Sequence, residues 1–539
     1  MVAPSLLLAT ALLATVLLAG CATSPAWRQA GEDSPARLAD RRCLALLDAF
    51  DDRVRTAGVA DAGSTRIEGF AYLRTDRLLA SFRDALADGR LDEAAFNDWL
   101  ARQRALDRQA RRIEAANLPM AARQALAMTL GDADPAAAAN ACGDRLLAHE
   151  LSPADPDPYA WPGSSAHAAR QALLARVEVP SEYRVWQRAL GLYPLTRIGL
   201  ALGYEGWKAD YLTSFTRPSA AIPLRGRLHR YVPARSGSGR EAAARALREA
   251  PRSPLGLVEL DAATLRTLAV AHAPVFTVDT RGNDDRLGAP VWWRSPDGVR
   301  PAVDTGRPLV DVRLSHTRFN GAVLPQLVYT AWFPARTRVG ALDILAGRLD
   351  GLVWRVTLGE DGRPLIYDSI HPCGCYHLFF PVPPLERVAV AADRDLREAP
   401  LTPIAAPRLG AGERIELRLA AVSHYLLKLG VSGEKKGVSP AATRAPPSGV
   451  AADVTSYRLN PVNEAPRFGQ RSLPLPGGGR RSLFGPDGLV GGSERLERFL
   501  LWPSGISSPG AMRQWGRHAT VFVGERHFDE PYLFEGAFE

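Results

Sequence analysis

Four side chains able to bind a soft or borderline metal crowd into one heptapeptide, His371-Pro372-Cys373-Gly374-Cys375-Tyr376-His377, in a chain with only 10 His and 5 Cys. On a straight strand all four would share a face, but the outer histidines would stand about 20 Å apart at roughly 3.3 Å per residue, too far for one ion. A tight turn at Pro372 and Gly374 changes this. It sets His371 and His377 face to face at the base and both sulfurs at the tip, a donor set for tetrahedral zinc with bonds of about 2.0–2.3 Å. The spacing departs from the usual pair of separated Cys-x-x-Cys and His-x-x-x-His half-sites. Two other chemistries stay open: a Cys373–Cys375 disulfide stiffening a hairpin tip, and a reactive Cys375 thiolate activated by His377.

Remote residues could complete such a site. His316 ends an apolar strand face, His424 follows another strand, and His527 lies among Glu525, Asp529 and Glu530. For each one alone, ordinary packing or solvation is the simpler fate. Asp279, Asp284 and Asp285 form an acidic cluster near Gly282 and Asn283. It lacks the register of an EF-hand loop, so a solvated turn competes with a cation site. Gly488 to Ser493 opens a short helix and offers backbone N–H groups to an anion, or serves as a connector. The nucleophile elbow Gly-x-Ser-x-Gly, the metalloprotease His-Glu-x-x-His, a Walker loop and a haem-attachment Cys-x-x-Cys-His are all missing.

The elements that must position these residues divide in two. From Ser34 to Glu150 apolar residues recur at helical spacing, with Cys43, Leu46, Leu47, Phe50 and Val54 on one face and Ala138, Cys142 and Leu146 on another. Helices are expected from Ser34-Pro35, from about Thr75 to Gly89, around Phe96–Ile113, and from Asp134-Pro135. Prolines 153, 156, 158 and 162 mark a linker. Residues 165–215 read as helical and rich in Tyr and Trp, a stripe that belongs in a core or, alternatively, on a membrane-facing surface. From about 257 the period becomes two: Val310, Val312 and Leu314, then Leu352, Trp354, Val356 and Leu358, then Ile415, Leu417 and Leu419. Glu360-Asp361-Gly362 turns one strand into the next. The expected class is therefore α+β, an N-terminal helical bundle followed by a larger antiparallel, sandwich-like β-rich domain. The expected divisions are 34–150 helical, 151–256 linker and aromatic helices, 257–430 β-rich, 431–490 a Gly/Pro/Ser-rich excursion, and 491–539 a segment with a strand at Ala519–Val523 that docks on the β domain.

The first residues carry an address. An apolar run from Leu6 to Leu18 is too short for the roughly 20 residues of a membrane-spanning helix and fits a signal-peptide core. It ends in Leu18-Ala19-Gly20-Cys21, which resembles the lipobox of bacterial lipoproteins, although no Lys or Arg precedes it. The resemblance implies removal of residues 1–20, a diacylglyceryl group on Cys21 and a lipidated tether over 21–33. Ala22, by its likeness to enterobacterial sorting signals, implies the outer membrane, with the chain facing the periplasm. A plain secretory signal cut near Ala22 or Ala26 is the alternative. With Cys21 lipidated, four cysteines remain in an oxidising compartment, paired most simply as Cys43–Cys142 and Cys373–Cys375. The first bridge would close a loop of about 100 residues, contributing roughly 4–5 kcal/mol in the chain-entropy model.

Composition sets bounds on function. Apolar residues make up 46% and charged ones 23% of 539, ordinary globular values. The net charge of +8, from 66 basic and 58 acidic residues, is modest for this length and has no basic cluster interleaved with aromatics, which sets nucleic acid aside. Four methionines argue against a Met-rich copper carrier. The expected partners are the membrane, through the lipid anchor, and an envelope protein or glycan. The expected role is non-enzymatic binding or structure in the envelope, and the alternative is a zinc-dependent periplasmic hydrolase built around His371, Cys373, Cys375 and His377. Convergence of the remote histidines and a carboxylate on the hairpin would favour the enzyme. An apolar groove would favour binding.

Overall fold

The computed structural model describes residues 35–151, 165–235, 239–388, 400–433, 452–462, 468–520 and 525–539. The expected signal peptide, Cys21 and the expected tether lie outside the described residues, as do the Pro153–Pro162 linker, 434–451 and 463–467 of the 431–490 excursion, and Val521 to Val523 of the expected 519–523 strand.

Three of the four long N-terminal helices form where spacing predicts them, and the one at Met120–Leu130 is an addition. Helices α1 (Pro35–Thr56), α2 (Glu93–Asn117), α3 (Met120–Leu130) and α4 (Pro135–Glu150) enclose a core of Leu47, Phe50, Trp99, Ala139 and Leu146. Asp92 and Asp134 cap α2 and α4 by accepting N–H groups of the first turn. Cys43 and Cys142 are bridged, tying α1 to α4 with their Cα atoms 4.9 Å apart. A hairpin is also unexpected: Thr65–Ile67 (β1) and Phe70–Thr75 (β2) pair, and their aromatic residues Phe70 and Tyr72 join the helical core. The helix expected from Thr75 is two short turns, Arg77–Ala80 and Arg83–Ala87.

After α5 (Ser165–Arg176), α6 (Val185–Leu190) and α7 (Tyr193–Thr216), the chain builds one ten-stranded sheet. Its strands are β3 (Arg227–Pro233), β4 (Val275–Thr280), β7 (Leu309–Phe319), β8 (Ala322–Arg336), β9 (Gly347–Leu358), β10 (Pro364–Ile370), β11 (Leu378–Pro381), β12 (Arg414–Leu419), β13 (Leu426–Ser432) and β14 (Asp453–Pro461). A separate hairpin, β5 (Ala289–Ser295) and β6 (Gly298–Asp304), lies outside it. The order across the sheet is β11-β10-β9-β8-β7-β14-β3-β4-β12-β13.

The α+β class holds, with two refinements. The sheet is mixed, because β14 runs parallel to β3 and β7, and β12 parallel to β4. Its faces are covered by helices and irregular chain instead of a second sheet. On one face the expected apolar rows of β7, β9 and β12 pack under α7, α8 (Arg240–Glu249) and α9 (Ala262–His272). On the other face lie residues from 468–520 and 525–538, with Phe528 on Val328, Val353 and Ile370, and with Phe534 and Phe538 against Phe379. The C-terminal aromatics therefore do dock on the sheet.

Two central strands, β3 and β14, fall outside residues 257–430, and β14 lies within the stretch read as an excursion. Its polar sequence conceals this role: Tyr457 is its one fully buried side chain, and its place comes from backbone pairing on both edges.

Candidate functional site

The heptapeptide does fold into a tight turn. The His371 N–H donates to Cys375 O at 2.9 Å and the Gly374 N–H to His371 O at 2.8 Å. Gly374 adopts φ +92°, and a Cβ there would stand 2.3 Å from Ala519 O, so glycine is required twice over. The turn nevertheless sends its histidines to different carboxylates. His377 Nε2 meets Asp368 at 2.9 Å, and Asp368 also accepts two bonds from Arg355, at 2.9 and 2.6 Å. His371 Nδ1 lies 3.4 Å from Asp350. Burial brings His377 down to about 4, so it sits neutral, a packed group beside Phe379 and Phe528.

Neither the expected staple nor the expected four-ligand centre forms. Cys373 and Cys375 are free thiols, both buried among Trp332, Val490 and Met512. Their mutual hydrogen bond, with burial, pushes the Cys375 thiol well up, and His377 is engaged elsewhere, so a Cys375 thiolate has no activating base. Among the described residues no group of three or more His, Cys, Asp and Glu side chains is placed to hold a metal ion.

His371 instead joins a buried chain of alternating charge. Asp350, on β9, accepts from His424 Nδ1 at 2.9 Å and faces Arg495 Nη2 at 3.2 Å. On its far side His424 Nε2 faces Asp285 at 3.4 Å. Burial alone would raise Asp350, but Arg495 and the two histidines hold it well below the usual carboxylate range. Burial works against His424 too, yet Asp285 and Asp350 together lift it above the ordinary histidine value. His371 moves the opposite way, lowered by burial, and its Nε2 has no hydrogen-bond partner. The two rings are thus pushed in opposite directions. His424 also stacks flat on Phe333, with centroids 4.1 Å apart, from a backbone at φ +51°.

Above this chain lies an aromatic groove of about 580 Å³, walled by Tyr204 and Trp207 of α7, Tyr376 and Tyr425, with Leu345 and Leu500 along its length. Tyr376 follows Cys375 at φ +61°, which carries its ring out of the turn to within 5.2 Å of Trp207. The Tyr425 hydroxyl donates to the Tyr376 hydroxyl at 2.6 Å, and the Arg336 guanidinium sits 5.3 Å over the Tyr425 ring. Glu497, buried in the same wall, has its carboxyl raised by burial. The His371 ring meets Tyr376 edge-on at 5.0 Å. The groove's lining is largely apolar with phenols and one acid among it, and the Tyr376 and Tyr425 rings lie between it and His371 of the His–Asp chain.

The other sequence candidates disperse. His316 is buried alone on β7, brought down to about 3 by burial. His527 accepts from the Glu182 N–H at 3.3 Å and lies beside Tyr183, away from the turn's partners. Of the acidic cluster, Asp279 accepts the Arg225 and Gly226 N–H groups, Asp284 accepts the Thr337 hydroxyl, and only Asp285 reaches the site. In the 488–493 segment, the Leu489 and Gly492 N–H groups are held by Asp487 and Glu494, and a four-residue helix, Glu497–Leu500, follows.

Sequence reasoning found His371, His424 and Asp285 one at a time and missed Asp350, Arg495, Tyr376, Tyr425 and Glu497. Asp350 left a signal: it is the only acid within a twelve-residue strand and is fully buried. No known family model, curated protein or solved structure matches the chain. The site is an apolar groove set over a buried His–Asp chain in an α+β protein.

Proposed function

We propose that the chain is a lipid-anchored outer-membrane protein facing the periplasm, with a non-enzymatic binding role, and that its groove takes one amphiphile. The apolar stem of the ligand lies along Trp207, Leu345 and Leu500, and its polar end meets the Tyr376 and Tyr425 hydroxyls. The observation that carries the reading is the groove itself, a largely apolar cleft with few polar groups, among them the paired Tyr376 and Tyr425 hydroxyls, as small-molecule sites are built. The anchor rests on Cys21 and the residues before it. Cys21→Ser should release the protein from membranes.

The test is organic extraction of protein purified from membranes, followed by mass spectrometry. Gly203 lines the groove, and a Cβ built there meets nothing within 4 Å, so Gly203→Trp fills the cleft without disturbing the helix. A near-stoichiometric amphiphile in the wild type that is lost in Gly203→Trp is the expected result. Equal recovery from both proteins, or none from either, overturns the reading.

A zinc-dependent hydrolase is the second reading, favoured by the unpartnered Nε2 of His371 and the two free thiols beside it. Elemental analysis without chelator decides it. Zinc that disappears in His371→Ala/His377→Ala would replace the binding role with the enzymatic one.

A further inference from the structure

The aromatic helices expected to be core are only half so. Tyr193, Tyr211 and Phe215 of α7 are buried, but Leu195, Ile198 and Leu202 stand 66%, 57% and 73% exposed. Their i, i+3, i+7 spacing makes one stripe along the helix. Val185, Leu190 and Leu192 continue it onto α6 and the bend between the helices. Across from them Phe499 and Leu500 are 69% and 60% exposed. The two sides adjoin: Trp186 and Trp502 meet edge to face at 6.2 Å, and Gly191 lies so close to Pro503 that a Cβ would stand 2.8 Å from its Cα. A continuous apolar surface of this extent is uncommon on a protein exposed only to water.

We propose that this surface docks on the surface of an anionic bilayer. Three observations select that occupant over a second copy or a protein partner. From Arg184 to Arg217 there are five basic residues and two acidic ones; Arg188 pairs with Glu525 and Lys208 with Glu205, which leaves Arg184, Arg197 and Arg217, and Arg197 is the only charged residue from Leu190 to Tyr204. Cations around an apolar patch complement anionic headgroups. Both tryptophans sit within the patch, in the amphipathic setting they favour at membrane interfaces. The segment outside the described residues, 1–34, holds the Leu6–Leu18 run and Cys21, which carry the membrane address. No described helix is long and apolar enough to cross a membrane, so the surface would lie along the headgroups.

Docking goes beyond the groove reading and gives it a source. Thr196, Gly199 and Gly203 line the groove on the stripe of α7 adjacent to the exposed one. A bilayer on Leu195 and Ile198 would lie at the groove's mouth.

The chain from Ala22 onward keeps every described residue and lacks the anchoring cysteine. It is sedimented with vesicles of phosphatidylethanolamine and phosphatidylglycerol, and with phosphatidylcholine alone. Binding to the anionic vesicles that weakens with salt, and that falls about tenfold or more in Leu195→Ser/Ile198→Ser/Leu202→Ser, is expected. Phe499→Ser/Leu500→Ser, on the opposite side of the patch, should weaken it too and serves if the triple variant does not fold. No binding by the wild type, or equal binding by folded variants, overturns the proposal. So does a dimer that the variants disperse without a change in vesicle binding, which would make the patch a contact between copies. Amphiphile recovery by organic extraction is read on the same wild-type protein, independently of vesicle binding, so a failed groove and a failed docking surface give different results.

Discussion

Two buried charge clusters, one in the N-terminal unit and one beneath the groove, use the same chemistry to different ends. In the first, Asp107 on α2 takes Arg104 at 2.7 Å and Arg111 at 2.9 Å, while Glu114, two turns on, takes Arg74 at 2.7 Å and the Asp61 N–H at 3.0 Å. Asp61 then accepts Arg471 Nε at 2.8 Å, joining the helical unit to the chain that covers the sheet. Every cation there is arginine, charged at any working pH. The second cluster has one arginine and two histidines, and it leaves His371 Nε2 without a partner against the groove wall. A saturated Arg–carboxylate lattice fixes geometry. A half-satisfied His–Asp chain can change its charge and can respond to what lies beside it.

The largest effect should come from breaking the lattice. Glu114→Gln leaves Arg74 buried without its strongest partner and should cost about 3–5 kcal/mol in denaturant unfolding. His424→Asn keeps a residue type tolerant of positive φ but removes two charge-assisted contacts, at about 1.5–3 kcal/mol. If both cost the same, the two clusters are not distinct in kind.

Acidity sharpens the contrast, because the clusters have opposite signs. Burial would raise Asp61, but Arg471 and Arg74 bring it down to about 2. A depressed carboxylate contributes above its unfolded value of 3.8, so the stability gap between wild type and Asp61→Asn should hold at neutral pH and close as pH falls toward 2. His424 is raised above 6.5, so its contribution is complete below that value and lost as pH climbs through its folded one. The gap between wild type and His424→Asn should therefore narrow on the alkaline side. Urea midpoints across pH for the two variants provide the check. Gaps that close on the same side would contradict the assignment.

How much of this the sequence disclosed follows from which interactions have a period. Burial against one face has one, so α1, α2, α4 and the rows of β7, β9 and β12 were legible, and the helical placement of Cys43 and Cys142 anticipated their bridge. Parallel pairing of a polar strand has none, so β14 was read as loop. Arg104, Asp107, Arg111 and Glu114 leave no mark in the sequence, because charges buried in mutual pairs have the same i, i+3, i+4 spacing as exposed ones. At the site, the heptapeptide marked the right turn for the wrong reason. Its histidines suggested one ion, but a carboxylate on a neighbouring strand waits for each of them, at positions 350 and 368, and local spacing cannot show a cross-strand partner. Tyr376, the residue of that turn that reaches the groove, looked like a spacer between ligands.

The central claim is that the groove over the His–Asp chain binds an apolar-stemmed ligand, and titration of a fluorescent long-chain fatty acid into the chain from Ala22 tests it most directly. The account predicts saturable binding at one site, abolished in Gly203→Trp with an unchanged melting temperature. Saturable binding that survives in Gly203→Trp, or no binding by the wild type, would contradict it.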